Sequence, residues 1–470
     1  MKHTAIRRVG LLILAVLLPL VMTLAWFIHR WAKLDSSLAY FLGAAGNLFG
    51  LVGFTLLLVM VLMGIRLPWI EQTFGLDRLM RYHKAMGPVV LALLMLHGFL
   101  RFAKISMLSP DGWQWAFWIS LQSGGVHEWG LNLGKLGLSG FLLAAIFAKI
   151  SRFSVPFHIW KPSHLLVYLA VPTVFVHSRM IGDDIVRFPY NVIWFALAAV
   201  FVAGVFYRLG YVGRRDKGMV HSVKKLKPET HDIQTMVLAP SQDPGAFASR
   251  KAGQFATLRF RRSSRWCEPR PFTISCSPDS SGLCFTIKKI GNYTSTLHSL
   301  EEGSQVICEG PYGIFTPDFE TEKNLVFIAG GVGITPFFSC IRHVRQSGID
   351  CAITLIWSNK TRGDIIAFDE IKRLSEEMEG RLKVVLVLTR EEDQDFSAEQ
   401  DIEKTKKQVQ DPVVFEYGRV NETLLKKNIQ PAGASFYLCG PKPMQRAVLG
   451  MLQNAFGIQP GHVRRERFFW

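Results

Sequence analysis

Residues 83–97 read His83-Lys-Ala-Met-Gly-Pro-Val-Val-Leu-Ala-Leu-Leu-Met-Leu-His97, and residues 164–177 read His164-Leu-Leu-Val-Tyr-Leu-Ala-Val-Pro-Thr-Val-Phe-Val-His177. Each is an apolar run closed at both ends by an imidazole. An ionisable side chain in hydrocarbon is costly and faces a partner or a cavity, and neutral imidazole is a usual axial ligand of haem iron. Two histidines on each of two helices can therefore hold two stacked haems, although any one of the four could instead bond a neighbouring helix. At about 1.5 Å per residue, the spacings of 14 and 13 put roughly 20 Å between the two ligand levels, which suits two macrocycles in one bilayer. At about 100° per residue, a step of 14 returns within roughly 40° of its starting face, whereas a step of 13 misses by roughly 140°. The second run is thus expected to be bent or re-wound, with Pro172 as the cause. Both runs head outward, so His83 is expected to pair with His164 near the cytoplasm and His97 with His177 near the exterior. His158, in a loop-like Pro-Phe-His setting, is the rival ligand, and His29 and His127 read as interfacial.

Working outward, apolar stretches long enough to span a bilayer recur six times, at 9–29, 41–65, 84–103, 134–151, 162–180 and 190–208. Arg7 and Arg8 before the first resemble a signal peptide, but its long core and the lack of a small-residue cleavage site favour an anchor. The N-terminus, the 66–84 and 149–161 loops and the exit after 208 hold 14 Lys and Arg against 7 in the other connections, which places both termini in the cytoplasm of a cell (inner) membrane protein. The net charge of +17 is concentrated in the same half, where residues 1–217 carry 21 basic and 8 acidic side chains. Cations set between long apolar runs suit a lipid bilayer and not nucleic acid. All seven cysteines lie beyond residue 266 and none forms C-x-x-C, so neither a zinc site nor a disulfide framework is indicated, and a reducing compartment is.

After Arg214 and Arg215 the texture changes to short β-branched runs punctuated by Gly and Pro, then to strands alternating with helical patterns. The expected architecture is a six-helix transmembrane bundle (1–210), an antiparallel β-barrel domain (218–318) and an α/β parallel-sheet domain (320–470). Arg270-Pro271-Phe272-Thr273-Ile274-Ser275 ends a strand, where Arg can meet a pyrophosphate, an aromatic can cover a flavin ring and hydroxyls can bond its edge. Gly291-Asn-Tyr-Thr294-Ser295 offers a glycine turn and hydroxyls for phosphate at a helix start, and Ile287 is counted with these flavin contacts. Gly310-Pro-Tyr-Gly313 is expected to be a tight turn. The run Leu325–Ala329 leads into Gly330-Gly331-Val-Gly333-Ile334-Thr335-Pro336, a strand, glycine turn and helix suited to a dinucleotide, though not the G-x-G-x-x-G of a plain Rossmann dehydrogenase. Phe436-Tyr-Leu-Cys439-Gly440-Pro441 repeats the strand-then-glycine logic. Residues 390–412 read as a solvated charged segment.

Taken in order, these strings resemble the ferredoxin–NADP reductase superfamily, and with the four histidines they resemble the NADPH oxidase and ferric reductase family over about 40–470. The resemblance implies two b-type haems on His83, His97, His164 and His177. It implies FAD contacts at Arg270, Phe272, Thr273, Ser275, Gly291 and Thr294, and NAD(P)H contacts at Gly330, Gly331, Gly333, Thr335, Cys439 and Gly440. Trp470 matches a terminal aromatic that covers the flavin until nicotinamide displaces it. Arg101 stands where eukaryotic oxidases of the family carry a histidine, one turn beyond the outer ligand, and with Cys439 and Trp470 it completes the candidate catalytic set. The implied reaction carries electrons from NAD(P)H through FAD and the haems to an external one-electron acceptor: oxygen giving superoxide, a ferric chelate, or an extracytoplasmic protein docked on the tryptophans of the 104–134 loop (Trp113, Trp115, Trp118, Trp129). Lys360 and Arg362 are candidates for a 2′-phosphate, which leaves NADPH and NADH both open.

Overall fold

The computed structural model describes residues 2–30, 37–65, 67–108, 125–150, 163–218, 220–240, 245–262, 265–391 and 413–466. Trp113, Trp115, Trp118, His158, most of the 390–412 segment and Trp470 lie outside the described residues. The chain divides into two compact units, Met1–Tyr211 and Val212–Trp470.

The first unit is built from α1 (Lys2–Arg30), α2 (Leu38–Ile65), α3 (Leu76–Leu108), α4 (Val126–Ile150), α5 (Val167–Ile181) and α6 (Tyr190–Gly218). Among the described residues six helices are long and apolar enough to cross a membrane. Phe99, Leu169 and Phe206 point outward and are 64%, 70% and 70% exposed, as a surface solvated by lipid requires. With no hydrophobic drive between helices in lipid, close packing falls to small residues. Gly43, Gly46, Gly50 and Gly53 form a groove on α2 that receives Lys104, Arg101, His97 and Leu93 of α3. Gly130, Gly134, Gly137 and Gly140 form the equivalent groove on α4 for Ile181, His177, Val174 and Ala170 of α5. The bundle core includes Phe54, Leu57, Val61, Val171 and Phe175.

Pro172 lies inside α5, but the interruption falls at Leu166, after the short helical turn that carries His164. Pro172 has no N–H for the carbonyl four residues back, at Tyr168, and the chain absorbs the mismatch just before it. The irregularity expected at the proline is thus a turn at Leu166, between His164 and α5.

The second unit opens with β1 (Val220–Pro228), β2 (Ile233–Leu238), β3 (Phe255–Arg262), β4 (Arg265–Trp266), β5 (Arg270–Thr273), β6 (Leu283–Lys288) and β7 (Gln305–Tyr312), with α7 (Asn292–His298) between the last two. Their pairing is antiparallel in the order β4-β3-β7-β1-β2-β6, with β5 also on β3. The expected barrel is therefore an antiparallel sheet in which one isolated bridge, Ile274 to Phe285, ties the segment after β5 to β6. Gly310, Pro311 and Tyr312 belong to β7 and do not form the expected turn. A register shift between Phe255 and Thr257 lets Tyr312 still pair with Phe255 past the proline.

A parallel sheet follows, with strands β8 (Asn324–Gly330), β9 (Ala352–Asn359), β10 (Leu382–Leu388), β11 (Val413–Tyr417), β12 (Ser435–Cys439) and β13 (Val463–Glu466) in the order β11-β10-β9-β8-β12-β13. Helices α8 (Thr335–Gln346), α9 (Phe368–Glu377), α10 (Glu422–Asn428) and α11 (Lys442–Phe456) alternate with the strands. Central strands such as β10, Leu-Lys-Val-Val-Leu-Val-Leu, are almost continuously apolar because helices cover both faces. The chain winds from β8 to one side and later returns to β12 on the other. The carboxyl ends of β8 and β12 therefore border the crevice where such sheets take their ligands.

Candidate functional site

In the membrane unit the rings of His83 and His164 face each other with centroids 5.9 Å apart and planes at 72°, and those of His97 and His177 are 6.3 Å apart at 82°. Two metal–nitrogen bonds of about 2 Å, plus the half-width of each ring, place trans imidazoles at about this separation. Among the described residues no group of three or more His, Cys, Asp or Glu gathers. A haem would fit between either pair, with the two imidazoles holding it.

For His83, His97 and His177 the second ring nitrogen is committed. Nδ1 of His97 lies 2.7 Å from the Gly46 carbonyl, that of His83 3.2 Å from the Met60 carbonyl and that of His177 2.8 Å from the Gly130 carbonyl. A carbonyl accepts only, so Nδ1 carries the proton and the Nε2 lone pair remains for a metal. Gly50 and Gly134 make room for this: a Cβ would stand 2.7 Å from Nδ1 of His97 and 2.5 Å from Nδ1 of His177. Between the two levels Phe54 and Phe175 meet edge to face at 4.8 Å. One turn beyond His97, Arg101 donates to the Asn47 carboxamide oxygen at 3.2 Å, and the amide nitrogen of Asn47 donates at 3.0 Å to Asp184, which also holds Arg30 at 2.9 Å. His29 stays within α1, with Nδ1 2.7 Å from the Ala25 carbonyl, and His127 is exposed.

In the second unit, Tyr293 at the start of α7 brings two of the strings together. The Arg270 guanidinium lies 5.1 Å over its ring, Phe272 stacks on it at 18° and 6.1 Å, and its hydroxyl donates to the Leu258 carbonyl. The Thr294 hydroxyl accepts from the Ile290 and Gly291 amides at 2.9 and 3.1 Å, shaping the turn that Ser295 closes with its own N–H on the Gly291 carbonyl. Two expected flavin contacts are turned to internal use. The Ser275 hydroxyl donates to the Cys284 carbonyl and accepts from Thr286, while Ile287 is buried among the sheet's own core residues. Thr273 is buried and Pro271 half-buried in β5.

At the β8–β12 crevice the glycines answer to steric need. A Cβ on Gly333 would stand 2.5 Å from the Cys439 carbonyl oxygen, one on Gly330 2.5 Å from Met444 Sδ, and one on Gly440 3.0 Å from the Gly330 nitrogen. Gly331, with φ +52°, turns the chain in open space. Thr335 and Pro336 start α8, with the Thr335 hydroxyl on the Val332 carbonyl at 3.1 Å, and Ile334 is fully buried beneath them. Pro441 opens α11. The Cys439 thiol is enclosed, and burial pushes its pKa well up, so it stays protonated. Arg362 is already occupied: its amide donates to Glu391 at 2.6 Å, its guanidinium to the Tyr417 hydroxyl at 2.9 Å, and it lies 4.6 Å over Phe415. Lys360 is exposed.

Residue-type reasoning picks out the histidines but not their glycine and carbonyl partners. The signal was present in the three- and four-residue spacing of Gly43 to Gly53 and of Gly130 to Gly140. Tyr293 was inside a quoted string without being assigned a role.

Residues 49–175 match the family described as ferric reductase like transmembrane component, a range that holds His83, His97 and His164 and stops just short of His177. Residues 327–449 match the oxidoreductase NAD-binding domain. The reductase component of propane 2-monooxygenase from Mycolicibacterium goodii is 30% identical over 234 residues, 49% of this chain and 62% of that protein. NADH-cytochrome b5 reductase 2 from Mycosarcoma maydis is 29% identical over 247 residues, 50% of this chain and 65% of that protein. A flavohemoprotein from Xylella fastidiosa is 24% identical over 357 residues, 74% and 83% of the two chains. Among solved structures, flavohemoglobin from Malassezia yamatoensis superposes with a TM-score of 0.47 at 20% identity, over 82% and 97% of the two chains. The chain covers less than two thirds of the length of the first two relatives. The protein is an integral membrane protein whose second unit carries an oxidoreductase NAD-binding domain. Its ferric-reductase-like membrane component followed by an NAD-binding domain is the layout of the NADPH oxidase and ferric reductase family.

Proposed function

We propose that the protein takes hydride from NAD(P)H on the cytoplasmic side and delivers electrons singly across the bilayer to a small external acceptor, foremost oxygen. One observation carries this reading: two facing imidazole pairs, 5.9 and 6.3 Å between ring centroids, at two levels along the third and fifth spans. Bound FAD would accept a hydride as two electrons and release them one at a time, and haems with two imidazole ligands would carry single electrons.

His83 and His164 would hold one haem and His97 and His177 the other, each kept in its metal-binding tautomer by a carbonyl on Nδ1 where that bond is resolved. Arg270, Phe272 and Tyr293 would hold FAD, a cation for its pyrophosphate beside two aromatic faces. Gly331 leaves the backbone bare where a dinucleotide would approach it, and Gly330, Gly333 and Gly440 let β8 and β12 close together beneath it. Cys439, enclosed at the end of β12 with a thiol that burial keeps protonated, would pack beside the nicotinamide. His83, His164, His97 and His177 would hold the two haems, which would supply electrons one at a time, so reduction outside would be one-electron and outer-sphere. The balance is NAD(P)H + 2 O2 giving NAD(P)+, H+ and two superoxide anions. Arg101, oriented by Asn47, supplies a fixed cation one turn from His97 that would attract the forming anion. The same cation suits the carboxylates of a ferric chelate, which is the second reading.

Purified protein turning over NAD(P)H in air, with cytochrome c reduction abolished by superoxide dismutase, supports the first reading. Turnover that requires ferric citrate supports the second. Turnover with neither overturns both.

A further inference from the structure

Helix α8 begins in the nucleotide crevice at Thr335, and one of its flanks is bonded to the segment that continues β5. Ser339, Arg342 and His343 recur three and four residues apart and so share that flank. The Ser339 hydroxyl donates to the Cys276 carbonyl at 2.8 Å. Arg342 uses its whole fork: Nε and Nη2 donate to the two Glu370 carboxylate oxygens at 2.7 and 2.8 Å, and Nη1 donates to the Ser275 carbonyl at 2.6 Å. His343 Nδ1 lies 2.6 Å from Asp279, which also accepts from Ser277 at 2.8 Å and Ser347 at 2.9 Å. One helix therefore joins the nucleotide loop to the backbone that carries Arg270 and Phe272.

We propose that Arg342 is a positioning residue for hydride transfer. By fixing the Ser275 carbonyl to α8 through a guanidinium held by Glu370, it sets the distance between the flavin strand and the nucleotide loop. The proposal rests on the reading that this unit binds flavin and a nicotinamide nucleotide.

Of the three links, the Arg342 link is the one that is both charged and largely shielded, its side chain being 22% exposed. The Ser339 bond is neutral, and Asp279 stands at a more exposed edge, 37% accessible, where solvent screens it. Burial alone would raise the Glu370 carboxyl, but the Arg342 guanidinium holds it below the usual carboxylate range, so the fork stays ionised at neutral pH. Hydride transfer needs donor and acceptor atoms within about 3.5 Å, and an error of about 1 Å costs on the order of a hundredfold in rate. Lysine keeps the charge but cannot bond Glu370 with two donors and Ser275 with a third in one plane.

The test uses the full chain in detergent, loaded with FAD, and follows flavin bleaching by NADH and by NADPH in a stopped-flow instrument. Arg342→Lys is expected to slow the limiting rate about 10- to 100-fold while flavin content and half-saturating nucleotide concentration stay within about twofold. Glu370→Gln, which keeps the shape of the fork, is expected to act in the same direction and less strongly. Amide hydrogen exchange, read without turnover, should rise at 274–279 in both variants. Unchanged limiting rates in both, or a rate loss that merely follows lost flavin or weakened nucleotide binding, would overturn the positioning role. Unaltered exchange at 274–279 would overturn the clasp itself. Failure of the unsubstituted protein to bleach its flavin with either nucleotide would instead overturn the functional reading beneath it.

Discussion

On the proposed reading, chemistry in the membrane unit would hang on two pairs of imidazoles, whereas in the reductase unit it would hang on backbone brought close to backbone. His97 and His177 each need one ring nitrogen free and one carbonyl behind them, at 2.7 and 2.8 Å. Gly333 and Gly440 contribute no functional group at all; they let β8 and β12 approach so closely that a Cβ would stand 2.5 and 3.0 Å from the opposite main chain. A lipid-filled surrounding explains the contrast. Within the bilayer a polar side chain is expensive, so few are present and each has one task. Outside it, networks of polar groups are cheap, and geometry is set by many small constraints at once.

Substitutions can break this comparison, and the largest effect is expected at a histidine. His177→Ala should halve the haem content while flavin reduction by NAD(P)H persists, because His177 is the imidazole that faces His97; pyridine haemochrome and stopped-flow assays measure the two. Gly333→Ala should do the reverse, leaving haem intact and lowering nucleotide-dependent flavin reduction by about a hundredfold, since the clashing atoms are backbone and an error of about 1 Å is enough. Gly331→Ala faces open space and should cost only about 1–2 kcal/mol for its positive φ, seen as a lower melting midpoint.

An intermediate case sharpens the contrast. Gly134→Ala pushes against the His177 ring, which can tilt, so outer-haem occupancy should fall partially and its potential should shift in a redox titration. The smallest effect is expected from acid. Asp279, despite some burial, is held low by bonds from His343, Ser277 and Ser347, and Glu370 is held low by Arg342. Carboxyls depressed in the folded state add stability above their unfolded pKa of about 4 and lose it as pH falls through the folded value. The reductase unit should therefore melt a few degrees lower, about 2–4 °C for a domain of this size, between about pH 5 and 3, with little change near neutrality.

The same contrast explains what could be read from sequence. The His83–His97 and His164–His177 spacings were legible because a lone imidazole in an apolar run is a strong signal in itself. Their partners were not, since Gly46, Met60 and Gly130 become special only when a second helix lies across them. In the reductase unit the order of glycine strings was legible, but Tyr293 and Arg342 were not. The Arg342 bond to Ser275 joins residues 67 positions apart, which no local pattern announces. Gly310 and Pro311 misled because their types favour turns, whereas a register shift carries them within β7. Pro172 did mark an irregular helix, but the break lies at Leu166.

The central claim is that the bundle holds two irons, each between a pair of imidazoles. Quantifying haem against FAD in the purified chain, together with low-temperature electron paramagnetic resonance of the oxidised form, tests it most directly. Two low-spin b-type haems for each FAD are predicted; a single haem, none, or a high-spin signal from an iron with an open position would contradict it.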